Sequence, residues 1–511
     1  MIENMTYTAI TIGPIYDTVS MTSSPAGLWA ASYLFSHISR SLCKMIVDNG
    51  LVAEKKDILS PYFCGEDQRI DGIGRYHDRI VFKPVDEQTV LENVQKLFEQ
   101  VFDEIAMAFI DENQADNSET ITNWFKQYLQ LHVICYRINE RGNPILDCSQ
   151  YLDAIELEKT FPSEKCSNPL SDLLDSRDND RNIRIRNQIR DSFSNGVWPF
   201  PRYTNEKGEE RLPDMEDITG RHEESEQPRR KTKSYYAIVQ SDGDKFGKCI
   251  KSLESENEIH KFSKKCLDYC NASVELIKDY GGVPIYAGGD DLFFIAPLTK
   301  MIRNEDGSIE DGKGNILDLL VGLREIFEKE DFFGKEKESP TLSFGVVIRY
   351  YKYPLYEAFA EAYEQLCMAK SKLNNGNTVA ISLQKHSGRT SEFILKDFNE
   401  TQLTDRINDL INHQTDDKAL SSIRTKVWEF KPLILKALHI GDGVLKNVFD
   451  NTFDNEIHKK YQVEINTVRK LFSILPESLN DDDKLKMLDN VLFFARFWGE
   501  KGDENDAETV D

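Results

Sequence analysis

Short β-branched and aromatic runs alternate along the chain with longer stretches whose apolar residues recur every three to four positions. The alternation is sharpest after residue 233. Tyr235–Gln240 reads as a buried strand. Glu256–Tyr280 carries Ile259, Phe262, Cys266, Tyr269, Cys270, Val274 and Ile277 at helical spacing, and Gly281-Gly282 stops that helix. Val283–Ala287 and Leu292–Ala296 read as strands around Gly288-Gly289-Asp290-Asp291. Asn315–Glu328 follows as a helix and Leu342–Tyr350 as a strand, with a further helix (Pro354–Leu373) and strand (Thr378–Leu383). The order β-α-β-β-α-β is the ferredoxin-like one. The first part repeats it: strand Tyr7–Ile12, helix Ala26–Val47, strands Ile58–Phe63 and Arg79–Val85, helix Glu87–Ile110, strand Leu129–Ile138. Two diverged copies of one fold are expected. From Phe393 to Trp498 the signals are helical, with Leu403, Ile407, Leu410 and Ile411 on one face and Leu485, Leu488 and Leu492 on another. Residues 162–233 are polar, charged and broken by Pro and Gly, and read as a linker or insertion with little core. The expected organisation is α+β: one copy over 1–161, the charged stretch 162–233, a second copy over 234–392, and a helical domain with an acidic tail over 393–511.

Composition narrows the function classes. The 511 residues hold 63 Lys+Arg against 87 Asp+Glu, a net charge of −24. That argues against free-standing, non-specific nucleic-acid binding, which needs a basic surface. It leaves room for a locally basic groove or a nucleic acid held by partner subunits. No apolar run approaches the ~20 residues of a membrane helix, and no basic-then-apolar leader opens the chain. The nine cysteines are scattered, with no Cys-x-x-Cys pair. A reduced, cytoplasmic protein without a zinc ribbon is expected.

Two acidic motifs carry the candidate chemistry. Ser241-Asp242-Gly243-Asp244-Lys245-Phe246-Gly247 follows the first strand of the second copy, and Gly288-Gly289-Asp290-Asp291 joins its second and third strands. First and third strands are neighbours in a ferredoxin-like sheet, so Asp242 is expected beside Asp290 and Asp291. Converging carboxylates repel one another. Hard divalent cations with oxygen ligands fit such a cluster, and two of them about 4 Å apart form the phosphoryl-transfer clamp. Gly288 and Gly289 allow a triphosphate close to the backbone. Gly243 and Gly247 flank a helix start whose free N–H groups suit phosphate. Lys370 and Lys372 are placed to reach phosphate oxygens.

At these residues the chain resembles the large polymerase/cyclase subunit of type III CRISPR effector complexes, especially the Cmr type. Asp242-Gly-Asp244…Gly247, Gly288-Gly-Asp-Asp291, Ser343-Phe-Gly345, Pro354-Leu355 and Ala369-Lys370 carry the resemblance in the second copy. Thr11-Ile-Gly-Pro-Ile15 and Leu28-Trp-Ala-Ala-Ser-Tyr-Leu34 carry it in the first. The resemblance implies two facing palm domains with nucleotides between them, in a complex with other subunits, guide RNA and target RNA, and no membrane. Target RNA would switch on the second palm, which joins ATP into cyclic oligoadenylate using two Mg2+ or Mn2+ ions. Asp242, Asp290 and Asp291 would be catalytic, and with Gly243 would hold the metals. Ser241, Gly243, Asp244, Lys245, Phe246, Gly247, Gly288, Gly289, Ser343 and Lys370 would contact nucleotide.

The chain also departs from that family. The first palm starts almost at Met1, so the HD nuclease domain of many members is expected to be absent. His77-Asp78 reads as surface chemistry, and the family's cysteine zinc site is not recognisable. The stretch Tyr16–Pro25 lacks the usual Lys and Arg. A second ATP would want positive charge there. An acidic hairpin residue, Asp71, would rather face a cation. Some branches without the nuclease join AMP to S-adenosylmethionine, so Gly13 and Asp71 are candidate acceptor-binding residues and S-adenosylmethionine a candidate co-substrate. A catalytically inactive scaffold subunit and a diguanylate-cyclase-like enzyme are the alternatives.

Overall fold

The computed structural model describes residues 5–500 except 66–70, 110–117, 139–141, 159–167, 171–178, 194–195, 198, 200–202, 205–209, 212, 222–229, 304–308, 331–339, 372–375, 399–401, 417 and 477–478. In the first palm, strands β1 (Met5–Gly13), β2 (Ile58–Ser60), β3 (Arg79–Phe82) and β4 (Gln130–Ile138) form an antiparallel sheet in the order β2-β3-β1-β4. Side chains alternate across it, as the pleat requires. Ile10, Ile12, Ile80 and Phe82 join a core with helices α1 (Pro25–Asp48) and α2 (Glu87–Phe109). Tyr7, Ala9 and Val81 face the other way, onto Cys148, Leu152 and Ile259. Helix α1 starts where Ser24 accepts from the Gly27 N–H and Pro25 occupies the first turn. A helix over Ser118–Tyr128 adds to the expected order; only Trp124 and Phe125 are buried on it, too few to show a period.

The charged stretch holds more structure than its composition predicts. Helix α3 (Asn179–Phe193) buries Ile189 and Phe193 in the first palm's core, and the Tyr33 hydroxyl donates to the Phe193 carbonyl at 3.0 Å. Among the described side chains of this mostly polar helix, these two are the apolar ones in that core. The remaining residues between 162 and 233 lie largely outside those described.

In the second palm, β5 (Tyr235–Asp244), β6 (Val283–Gly288), β7 (Asp291–Pro297), β8 (Thr341–Tyr350), β9 (Thr378–Gln384) and β10 (Thr390–Lys396) form one sheet in the order β10-β9-β8-β5-β7-β6. Its last four strands repeat the order of the first palm. Helices α4 (Glu256–Tyr280), α5 (Ile316–Lys329) and α6 (Leu355–Ala369) pack on it. β10 straddles the boundary expected at 392/393, and Phe393 lies in that strand rather than in a helix. The helical domain, Gln402–Asn412 through α7 (Asp481–Gly499), shares a continuous core with the second palm. Phe494 meets Phe393 there at 5.1 Å between ring centroids. Among the described residues, no helix is long and apolar enough to cross a membrane.

The palms meet through backbone as well as side chains. Gly74 forms a parallel bridge with Tyr286, and the Ala287 N–H donates to the Gly74 carbonyl at 2.9 Å. Arg75 Nε donates to Asn271 Oδ1 on α4 at 2.8 Å. This junction sits immediately before Gly288.

Candidate active site

β5 and β7 pair antiparallel as far as Ser241 opposite Leu292, so Asp242, still paired with Ser343 of β8, stands beside the turn that begins β7. The turn is tight: Gly288 pairs with Asp291, and Gly289 has φ +68°, a left-handed conformation that favours glycine. Asp242, Asp290 and Asp291 each present an oxygen within 4.8 Å of the other two. Gly243 makes this approach possible, because a Cβ there would stand 2.7 Å from Asp290 Oδ2. Lys370, at the end of α6, pairs with Asp242 and donates to the Gly243 carbonyl at 3.1 Å.

Burial first, then the Asp242 charge, pushes the Asp290 carboxyl well above the ordinary carboxylate range. Asp291 rises for the same reasons, burial followed by the charges of Asp290 and Asp242. Its side chain opens to the cleft, yet protein surrounds the carboxylate at longer range. Lys370 pulls both down without cancelling the rise. A cluster this short of positive charge fits divalent cations with oxygen ligands. A carboxyl whose pKa is higher folded than unfolded holds its proton more tightly in the native state. Native stability is then lost as pH rises from about 4, the unfolded value, towards the raised one. In chelator, the thermal midpoint should fall between pH 5 and 8, and saturating Mg2+ should remove that fall. A midpoint indifferent to pH and Mg2+ would contradict the cluster.

Several expected nucleotide contacts are committed elsewhere. Asp244 is buried and accepts hydrogen bonds from Thr341 Oγ1 (2.7 Å), Ser343 Oγ (2.9 Å) and the Asn377 N–H (2.8 Å). The side chains of Asp244 and Ser343 therefore brace the ends of β5 and β8 and do not face a ligand. Asp71 is paired by both guanidinium nitrogens of Arg75, at 2.5 and 2.6 Å, and approached by Lys278 at 3.4 Å. It accepts from the Ile73 N–H and lies outside the cleft lining, so it is not available to an acceptor. Lys245 takes φ +61° ahead of the short helix Phe246–Lys251. Gly247 lines neither compartment described below. Lys372 lies outside the described residues.

Two compartments meet at the carboxylates. The front one, about 530 Å³, runs between the palms and is lined by Gly13, Tyr16, Gln130, Ser241, Asp242 and Tyr363 among others. The rear one, about 440 Å³, lies behind the Gly288–Asp291 turn. Phe246, Ile250, Phe262, Cys266 and Leu267 wall it on one side, and Ser60, Tyr62 and His77 of the first palm on the other. Tyr76, Asp78 and Asp291 line both. His77 and Asp78 are thus half-buried wall residues of the compartments rather than open surface. His77 Nε2 lies 2.9 Å from Ser60 Oγ, and burial pushes its pKa down to about 4, leaving a neutral imidazole.

Asp78, Glu156 and Gln130 are cleft residues that sequence reasoning missed. A signal for Asp78 existed: it immediately precedes the third strand of the first palm, as Asp290 precedes that of the second. Gln130 and Glu156 carry no motif and are brought in only by the tertiary fold.

Residues 235–380 match the family model described as Cas10/Cmr2, second palm domain. Over 179 residues the chain is 28% identical to the CRISPR system Cmr subunit Cmr2 of Pyrococcus furiosus, a match spanning 30% of this chain and 19% of that protein. Among solved structures, a chain of the type III-B Cmr-beta complex in its apo state is similar over 98% of this chain and 82% of its own length, with TM-score 0.57 and 12% identity. A chain of a Csm1-Csm4 cassette in complex with cA4 is similar over 98% of this chain and 70% of its own, with TM-score 0.51 and 13% identity. The same cassette in complex with one ATP gives TM-score 0.53 at 13% identity.

Proposed function

We propose, for a chain that carries a Cas10/Cmr2-type second palm domain, that it is the nucleotidyltransferase subunit of an RNA-guided type III CRISPR complex. Its partners would be the other subunits of that complex with guide and target RNA, in the cytoplasm. Target RNA would be the trigger and ATP the donor. One observation carries the reading: three carboxylates within 4.8 Å of one another stand where two ligand-sized compartments join. A scaffold has no use for that repulsion.

The rear compartment suits the adenosine of ATP, with apolar walls from Phe246, Phe262 and Leu267. Its α-phosphate would then lie at the carboxylates. Lys370, released from Asp242, would reach the triphosphate oxygens. Two Mg2+ or Mn2+ ions held by Asp242, Asp290 and Asp291 would supply positive charge for the departing pyrophosphate. An acceptor oxygen held in the front compartment attacks the α-phosphorus. One phosphorus–oxygen bond forms, the bond to the β-phosphate bridge breaks, and pyrophosphate leaves.

The front compartment also bears on the acceptor. Its lining includes Asp17, Asp78, Glu156, Asp242 and Asp291, and among its described residues none is Lys or Arg. Two of these carboxylates are paired by cations outside the lining, Asp242 by Lys370 and Glu156 by Arg79 at 2.7 Å, which leaves Asp17, Asp78 and Asp291 to repel a second triphosphate and to attract a sulfonium and an ammonium. This favours an AMP conjugate of S-adenosylmethionine as product. Cyclic oligoadenylate is the second reading, favoured by structures of the same fold that hold cA4 or pppApA. Assembled complex given target RNA and labelled ATP, with and without S-adenosylmethionine, separates them. A labelled product that requires the methyl donor is expected; one formed from ATP alone points to cyclic oligoadenylate, and none at all refutes the enzyme.

A further inference from the structure

The front compartment contains a side chain that nothing in the fold explains. Gln130, the first residue of β4, is 9% exposed, and its carboxamide has no hydrogen-bond partner among the described residues. It lines the compartment on the first-palm wall. Its amide atoms open into the cavity rather than being sealed in protein, so they can exchange water for the polar edge of a ligand. Ser32, 6% exposed on α1, lines the same wall, and its hydroxyl likewise has no partner among the described residues. Gly13 pairs with Gln130 across β1 and β4, which sets its backbone beside the carboxamide: a Cβ there would make ordinary contact with Gln130 Oε1, at 3.4 Å.

The ligand's chemistry follows from the group. A carboxamide offers one acceptor and two donors side by side. That pattern matches the N6 amino group and N7 of adenine in a bidentate pair. Hypoxanthine, with an oxygen at position 6, presents two acceptors along that edge and can satisfy only half of the amide. Phe35 and Tyr76 line the same compartment and supply aromatic surface for a purine. Adenine is common to both acceptors considered above.

We propose that Gln130 reads the adenine of the acceptor, making it the base-specificity residue of the front compartment. The assignment rests on the nucleotidyltransferase reading and places the donor and acceptor bases on opposite sides of the carboxylates. The donor base lies against α4 and the acceptor base against β4.

Equilibrium dialysis on the full chain tests it. The donor site is first saturated with Mn2+ and a non-hydrolysable ATP analogue. S-adenosylmethionine is then compared with S-inosylmethionine, and ATP with ITP, as second-site probes. The wild type should favour the adenine member of whichever pair binds by about tenfold or more. Gln130→Leu should erase that preference, weaken the adenine probe by about the same factor, and leave the ATP analogue's own affinity unchanged. Gln130→Met, which keeps the shape and removes the hydrogen bonds, should behave the same way and guards against a folding defect. Preference that persists in both variants overturns the assignment, as does a wild type that binds no second-site probe. Failure of the ATP analogue to bind at all would instead refute the nucleotidyltransferase reading.

Discussion

Replacing Asp290 and Asp291 together by Asn should lower nucleotide turnover by at least about a thousandfold, because the charge that would grip metal against the triphosphate is gone. The same double variant should be more stable than the wild type in chelator. Two carboxylates forced upward by burial and by one another are replaced by neutral amides of nearly the same shape. Those opposite signs make the test specific. A core defect would lower activity and stability together, whereas a metal-site lesion lowers one and raises the other. Turnover on activated complex and thermal unfolding in chelator measure the two. Unchanged turnover would remove the triad from the chemistry.

Trp29→Ala should cost about 3–5 kcal/mol of stability, the range for emptying a fully buried indole. Trp29 is 0% exposed in α1, stacks on Tyr33 at 5.4 Å, and donates its indole N–H to the Gly72 carbonyl at 2.5 Å. Gly72 begins the segment that bridges to β6 and leads, through Tyr286, to Gly288. The loss should therefore reach the second palm: Mn2+ affinity of the triad should fall along with the unfolding midpoint in urea. Trp29→Phe, which keeps most of the volume and loses the hydrogen bond, should recover most of the stability. A Trp29→Ala midpoint within 1 kcal/mol of wild type would show that the segment does not depend on the indole.

Much of this site could be read from the chain because its ligands sit at strand ends. A short β-branched and aromatic strand leading into Asp242 and a tight glycine turn leading into Asp291 fix each carboxylate to a position in a known topology. Ferredoxin-like pairing does the rest, since it makes β5 and β7 neighbours. Gly13, a candidate through the resemblance, lies at the end of β1 and lines the front compartment. Asp71 was suggested by its charge alone, and its pairing with Arg75 is a matter of local fold that charge does not reveal. Asp244 and Ser343, expected at the nucleotide, have their side chains bonded to one another instead. They belong to the motif, yet Asp244 is taken up by hydrogen bonds from Thr341, Ser343 and the Asn377 N–H, partners that lie far along the chain. The charged helix α3 was hidden by composition, because its few apolar residues are outnumbered by Arg, Asn and Asp. Gln130 and Glu156 were invisible because a cleft between two domains is assembled from whatever the docking brings near.

The bridge from Gly74 to Tyr286 has a consequence for how the molecule can be divided. β6 is the last strand of its sheet, and its outer hydrogen-bonding edge is met by the other palm. Severed from its companion, the catalytic half would offer an open strand border to any passing chain, the usual template for self-association. Its inert-looking twin therefore acts as a hem as well as a wall, and the two halves are expected to be soluble only as one.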